Sequence, residues 1–140
     1  IINKLGSERG MILQQYIPIE FDVRVIMVAG KIMGAMKRNI ADGDFRSNIH
    51  QGSKPEKYEL TKLEEEVCYK VDKTINGKWI GVDLIISKDR EKEEPYVLEI
   101  NSQPGHVGYD SVHSGSILKD VLKTFMNRDN WTWHLTTKVV

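Results

Sequence analysis

Two short apolar runs, Gly81-Val82-Asp83-Leu84 and Val97-Leu98-Glu99-Ile100-Asn101, constrain this chain more than any other stretch. Both are brief and rich in aliphatic and β-branched residues, the pattern of strands. Each is broken by residues that a buried strand tolerates badly: Asp83 in the first, Glu99 and Asn101 in the second. Side chains alternate across a strand, so Glu99 and Asn101 face one way. Pairing of the two strands lets Asp83 face the same spot. A carboxylate buried in an apolar strand is costly unless it is paired or binds a metal. Three oxygen-bearing side chains converging on one face suit Mg²⁺, a hard cation that takes carboxylate and carbonyl oxygens. The same spacing also fits three solvated residues at strand ends, and spacing alone does not choose between the two.

The rest of the chain supplies a setting for these strands. Residues 21–28 and 31–39 read as two more strands, joined by Ala29-Gly30 as a hairpin turn. On the first, Phe21, Val23, Val25 and Met27 share a face while Asp22 and Arg24 share the other. Arg38 ends the second, and a guanidinium fork suits bidentate phosphate or carboxylate binding. A further strand is expected over 11–17, stopped by Pro18. Residues 39–55 form a long polar connection in which Arg46, Asn48 and His50 alternate, so an extended segment aims them together; a solvated loop is the other reading. A helix is expected over 60–75. Thr61-Lys62-Leu63-Glu64 reads as a capping box, Leu60, Leu63, Val67, Val71 and Ile75 as its apolar stripe, and Asn76-Gly77 as its stop. The Glu64-Glu65-Glu66 run is expected to be solvated near the helix start, and Cys68 to be packing. Residues 88–94 read as an exposed charged hairpin loop, and Ile117, Leu118, Val121, Leu122 and Phe125 stripe a second helix ending near Asn127. The expected fold class is α+β: a mostly antiparallel sheet with two packed helices.

The blocks Gly81-Val82-Asp83-Leu84 and Val97-Leu98-Glu99-Ile100-Asn101-Ser102-Gln103-Pro104-Gly105 resemble the metal-binding end of ATP-grasp ligases. Met36-Lys37-Arg38 and Gly43-Asp44-Phe45-Arg46-Ser47-Asn48-Ile49-His50 narrow the resemblance to the RimK-like branch, with the blocks in family order over about residues 11–105. Members of that branch add glutamate or related amino acids to a carboxylate. The resemblance implies an ATP-grasp-like fold. It assigns Asp83, Glu99 and Asn101 to two Mg²⁺ or Mn²⁺ ions. It assigns Gln15, Tyr16, Asp22, Arg46, Ser47 and Asn48 to ATP, with Gln15 and Tyr16 at the adenine hinge, and Arg24, Arg38 and Arg46 to the catalytic stabilisation of phosphoryl charge. Gln15 stands where many relatives carry Glu, and Gln51-Gly52-Ser53 where they often carry Arg-Gly-Gly.

The implied chemistry is phosphorylation of a carboxylate by ATP to an acyl phosphate, then attack by an amino-acid amine to give an amide. The acceptor is a small molecule or a protein C-terminus. The smaller subdomain that supplies a phosphate-binding Lys and glycine-rich loop has no counterpart here. Residues 1–10 read as a remnant of an upstream segment, 11–127 as the carboxyl-terminal ATP-grasp subdomain and 128–140, with Trp131 and Trp133, as a tail. On this reading the chain is a ligase fragment, inactive alone if the missing subdomain is essential. Two other readings stay open: another ATP-grasp ligase or phosphotransferase, and a non-catalytic nucleotide- or metal-binding module.

Composition narrows the partners. Lys+Arg and Asp+Glu both number 20, so the chain lacks the basic footprint of a nucleic-acid binder or a polybasic membrane anchor. No apolar run reaches the ~18–20 residues of a membrane span. No signal peptide is read in Ile1-Ile2-Asn3-Lys4, and the single cysteine has no internal partner, so a cytoplasmic setting is expected. Homo-oligomerisation stays open.

Overall fold

A computed structural model of the chain describes residue 15 and residues 17–19, 21–39 and 54–127. The expected strand over 11–17 lies outside these residues except for Gln15 and Ile17, which carry no strand. The connection 40–53 and the tail 128–140 also lie outside them. The fold is α+β, as expected. Five antiparallel strands form one sheet in the order β3-β2-β1-β4-β5. They are β1 (Phe21–Val28), β2 (Lys31–Asn39), β3 (Glu56–Tyr58), β4 (Trp79–Ile85) and β5 (Tyr96–Asn101). The described residues hold three helices rather than the two expected: α1 (Lys62–Ile75), α2 (Val107–Val112) and α3 (Ile117–Met126).

Alternation along the strands gives each sheet face its own core. Val23, Val25 and Met27 of β1, Ala35 of β2 and Ile80, Val82 and Leu84 of β4 pack with Val67 and Cys68 of α1. On the other face Ile26, Val28 and Met36 pack with Tyr109 of α2 and with Ile117 and Val121 of α3. Full burial of each such side chain contributes ~1.5–3 kcal/mol.

The capping box forms as expected. Thr61 Oγ1 accepts from the Glu64 amide at 3.3 Å, and the Thr61 amide donates to Glu64 Oε2 at 2.8 Å. Asn76 ends α1 in the left-handed conformation. Glu64 itself corrects the expectation of a solvated acidic run. It is 1% exposed because Arg90, from the charged turn before β5, folds over it and donates at 3.1 and 2.8 Å. The strand β3 and the helix α2 were not foreseen. Three polar residues carry β3, which is held by pairing to β2. The helix α2 is docked by Tyr109, whose hydroxyl donates to the Met33 carbonyl at 2.8 Å, and by His113 just beyond its end, whose Nε2 meets the Ala35 carbonyl at 3.0 Å. The two rings stack at 4.1 Å over Gly34, where a Cβ would lie 2.8 Å from the His113 ring.

Candidate functional site

Two irregularities of register build a polar cluster on the sheet face shared with α2 and α3. The Ala29-Gly30 turn, with both residues at positive φ, sets Val28 opposite Lys31. Continued without interruption, that register would put Lys37 opposite Asp22. The register instead shifts at Met27, leaving Met33 unpaired as an extra residue, and Arg38 faces Asp22. The second shift lies between β4 and β5. Ile85 pairs with Tyr96 and Leu84 with Val97, so an unbroken ladder would set Leu98 against Asp83 and turn Glu99 to the opposite face. With Leu98 as the extra residue, Glu99 pairs with Asp83 and Asn101 with Gly81. Bulges of this kind re-aim side chains beside functional sites.

The result is a chain of charges. Arg38 grips Asp22 with Nε at 2.7 Å and Nη2 at 2.5 Å, and Nη2 also reaches Asp83 Oδ2 at 2.8 Å. Arg24 grips Asp83 from its other side, Nε to Oδ1 at 2.7 Å and Nη2 to Oδ2 at 2.6 Å. Neighbours fix the Asn101 amide: its nitrogen donates to Glu99 Oε1 at 2.9 Å and its oxygen accepts from Arg24 Nη2 at 3.2 Å. Asp22, Arg38 and Asp83 are buried, at 0%, 5% and 2% exposure, and Glu99 lies exposed on the edge strand. Burial pulls the Arg38 pKa down, but the bonds and charges of Asp22 and Asp83 outweigh it and the net direction is up. Gly81 leaves room for this packing, since a Cβ there would lie 2.8 Å from Pro104 Cβ and 3.8 Å from Arg24 Cδ.

A buried ion cluster of this size is a poor device for stability, because desolvation offsets most of the attraction. A network of paired charges buried on an otherwise apolar face is a candidate functional site. The donor set at the exposed edge is Glu99 carboxylate and Asn101 amide oxygen, chemistry that fits Mg²⁺ or Mn²⁺. Asp83 fits by type, but both of its oxygens are held by arginine. Among the described residues no three Asp, Glu, His or Cys side chains form a metal cage.

The structure thus brings together Asp22, Arg24, Arg38, Asp83, Glu99 and Asn101, which the sequence offers as an Asp83–Glu99–Asn101 face, an Asp22–Arg24 face and a separate Arg38. Gln15 is exposed and stands apart from the bonds described above, and Tyr16, Arg46, Ser47 and Asn48 lie outside the described residues. Sequence reasoning did not foresee the pairing of Asp22 with Arg38 or of Arg24 with Asp83. The opposite charges on one strand face were the available signal, but partner choice depends on the two bulges.

Residues 2–124 match the family of the RimK-like ATP-grasp domain. A probable alpha-L-glutamate ligase of Psychromonas ingrahamii is 34% identical over 115 residues, 81% of this chain and 37% of that protein. A relative of the same description from Xanthomonas euvesicatoria pv. vesicatoria is 42% identical over 91 residues, 65% of this chain and 30% of that protein. The chain spans about a third of the length of these curated relatives. Among solved structures, the ATP-grasp ligase PsnB, complexed with a phosphomimetic variant of its minimal precursor, Mg and ADP, shares the fold. It matches with TM-score 0.63 at 19% identity over 80% of this chain and 34% of that one. The macrocyclase MdnC from Microcystis aeruginosa MRC, bound with its precursor peptide MdnA, matches with TM-score 0.55 at 17% identity over 78% of this chain and 30% of that one.

Proposed function

Because the chain belongs to the RimK-like ATP-grasp family, we propose that it is the metal- and phosphate-holding portion of an ATP-dependent carboxylate–amine ligase of the glutamate-adding type. The observation that carries this reading is the double bulge, which sets Asp83, Glu99 and Asn101 beside Arg24 and Arg38 on one face. Relatives described as probable alpha-L-glutamate ligases support the amino acid. In this reading residues 11–127 are the carboxyl-terminal ATP-grasp subdomain, which works in the cytosol together with an upstream part that completes the nucleotide clamp.

A free carboxylate is a poor electrophile, since its oxygen is a poor leaving group. In the proposed first step a carboxylate oxygen of the acceptor attacks the γ-phosphorus of ATP and ADP leaves, giving an acyl phosphate. In the second the amine attacks the acyl carbon, phosphate leaves, and an amide forms with loss of a proton. The first step crowds anions together. Asp83, Glu99 and Asn101 would hold the Mg²⁺ or Mn²⁺ ions, which would supply charge neutralisation and phosphate orientation when bound. Arg24, Arg38 and Arg46 stabilise the transferring phosphoryl group and the acyl phosphate. Asp22 orients Arg38, and Gln15, Tyr16, Ser47 and Asn48 contact the nucleotide. No general base is assigned.

The test is isotopic. With an acceptor carboxylate labelled in both oxygens with ¹⁸O, ATP, Mg²⁺ and glutamate, and the upstream part present, one ¹⁸O atom should appear in the released phosphate for each amide formed. Amide formation with unlabelled phosphate would exclude the acyl phosphate.

A further inference from the structure

We infer that the Arg24 guanidinium is the resident cation of the acidic cluster, and that a divalent cation must displace it from Asp83 and Asn101 to bind there. The inference rests on the metal role proposed above and adds an order of events to it. Arg24 spends Nε and Nη2 on the two oxygens of Asp83, at 2.7 and 2.6 Å, and the same Nη2 reaches the Asn101 oxygen at 3.2 Å. One guanidinium therefore bridges two of the three donor residues and lies one hydrogen bond from the third, since Asn101 in turn donates to Glu99 at 2.9 Å. A carboxylate offers about four lone-pair sites, and Asp83 already accepts from Arg24 twice and from Arg38 once. One site is left, on Oδ1, and a metal ion that draws on both carboxylate oxygens needs a lone pair that arginine holds.

The two arginines are not equivalent in this exchange. Arg38 is 5% exposed and anchored bidentately on Asp22, so its single bond to Asp83 can go without freeing the side chain. Arg24 is 14% exposed and its described charge partner is Asp83. Released, it stays on the same sheet face, because the β1–β4 register fixes its Cα opposite that of Asp83. A freed guanidinium fork there is ready for a phosphate or carboxylate group. Cation entry thus arms the anion site, which couples the two ligands favourably.

The test uses Mn²⁺ alone as the probe, with free ion counted by electron paramagnetic resonance. Removing the competitor in Arg24→Met should tighten Mn²⁺ binding roughly tenfold or more, the scale of one charge-assisted pair no longer displaced. Equal or weaker Mn²⁺ binding in a folded Arg24→Met protein would overturn the competition. Should that variant not fold, the wild type answers: Mg²⁺ should shift the Arg24 Nε–H resonance and loosen its guanidinium, and an unmoved resonance at saturating Mg²⁺ would overturn the idea. Glu99→Gln separates the two levels. Wild-type Mn²⁺ affinity in Glu99→Gln removes the metal site and the inference with it, whereas weakened binding there with no gain in Arg24→Met removes the inference alone.

Discussion

Asp22 and Arg38 show how much one side chain can matter when charges are buried together. Deleting Asp22 strips Arg38 of its bidentate partner and leaves it only the single bond to Asp83 at 2.8 Å, so Asp22→Ala should lower unfolding free energy by less than the ~3–5 kcal/mol of a wholly uncompensated charge, about 2–3 kcal/mol. Denaturant titration checks this, and a loss near zero would mean that Arg38 finds solvent. Apolar replacement of both partners removes the desolvation cost along with the attraction. The double variant Asp22→Leu/Arg38→Met should therefore recover much of the lost stability while still failing to bind nucleotide. Glu99 behaves in the opposite way. It is exposed on the edge strand, so Glu99→Gln should leave the melting temperature unchanged and weaken Mg²⁺-dependent ATP binding roughly ten- to a hundredfold, the scale of losing a charged contact. Calorimetry with the upstream part present measures it.

At the scale of elements, α1 is the most legible part of the chain. Its box and stop are local features that form as read, and the stripe packs at Leu60, Val67 and Val71 while Ile75 at its end is 50% exposed. Thr61→Ala removes a cap contact worth ~1 kcal/mol. Its melting temperature should fall by a few degrees with ligand binding intact, and calorimetric unfolding reads the change. What α1 did not disclose is the fate of Glu64, whose partner Arg90 lies 26 positions away. The strands β4 and β5 were visible as short aliphatic runs, and β1 and β2 as β-rich runs joined by Ala29-Gly30. The strand β3 was not, since its Glu56-Lys57-Tyr58 sequence has no apolar run and its stability comes from β2. The helix α2 was missed for a related reason: Val107, Gly108 and Val112 are weak helix formers, and Tyr109 and His113 hold it through backbone carbonyls of β2. The bulges at Met33 and Leu98 left no mark in the sequence, because each responds to pairing across strands. The candidate ligands were therefore readable as residues and as a motif, but the arginine pairs that hold them were not.

Over the whole molecule, the sheet divides the labour between its faces: α1 seals one, and the other is shared by the α2–α3 core and the charged cluster. Cys68 sits at 0% exposure in the sealed side, where burial, with Glu64 and Glu65 adding to it, pushes its thiol up to about 12. Thiol-exchange reagents at pH 8 should label Cys68 only at the rate of global opening; fast labelling would mean that α1 lifts off alone. The raised value also fixes a pH trend. Between about 9 and 12 the unfolded thiol is ionised and the folded one is not, so unfolding releases a proton and this contribution to stability falls as pH rises through that window. No helix among the described residues is long and apolar enough to cross a membrane. On the other face, paramagnetic broadening of amide NMR signals by Mn²⁺ with ATP reports where the metal sits. Signals of Arg24, Asp83, Glu99 and Asn101 should vanish first while those of α1 persist. Broadening centred on the acidic turn at residues 88–94, with the β4 and β5 signals intact, would contradict that placement.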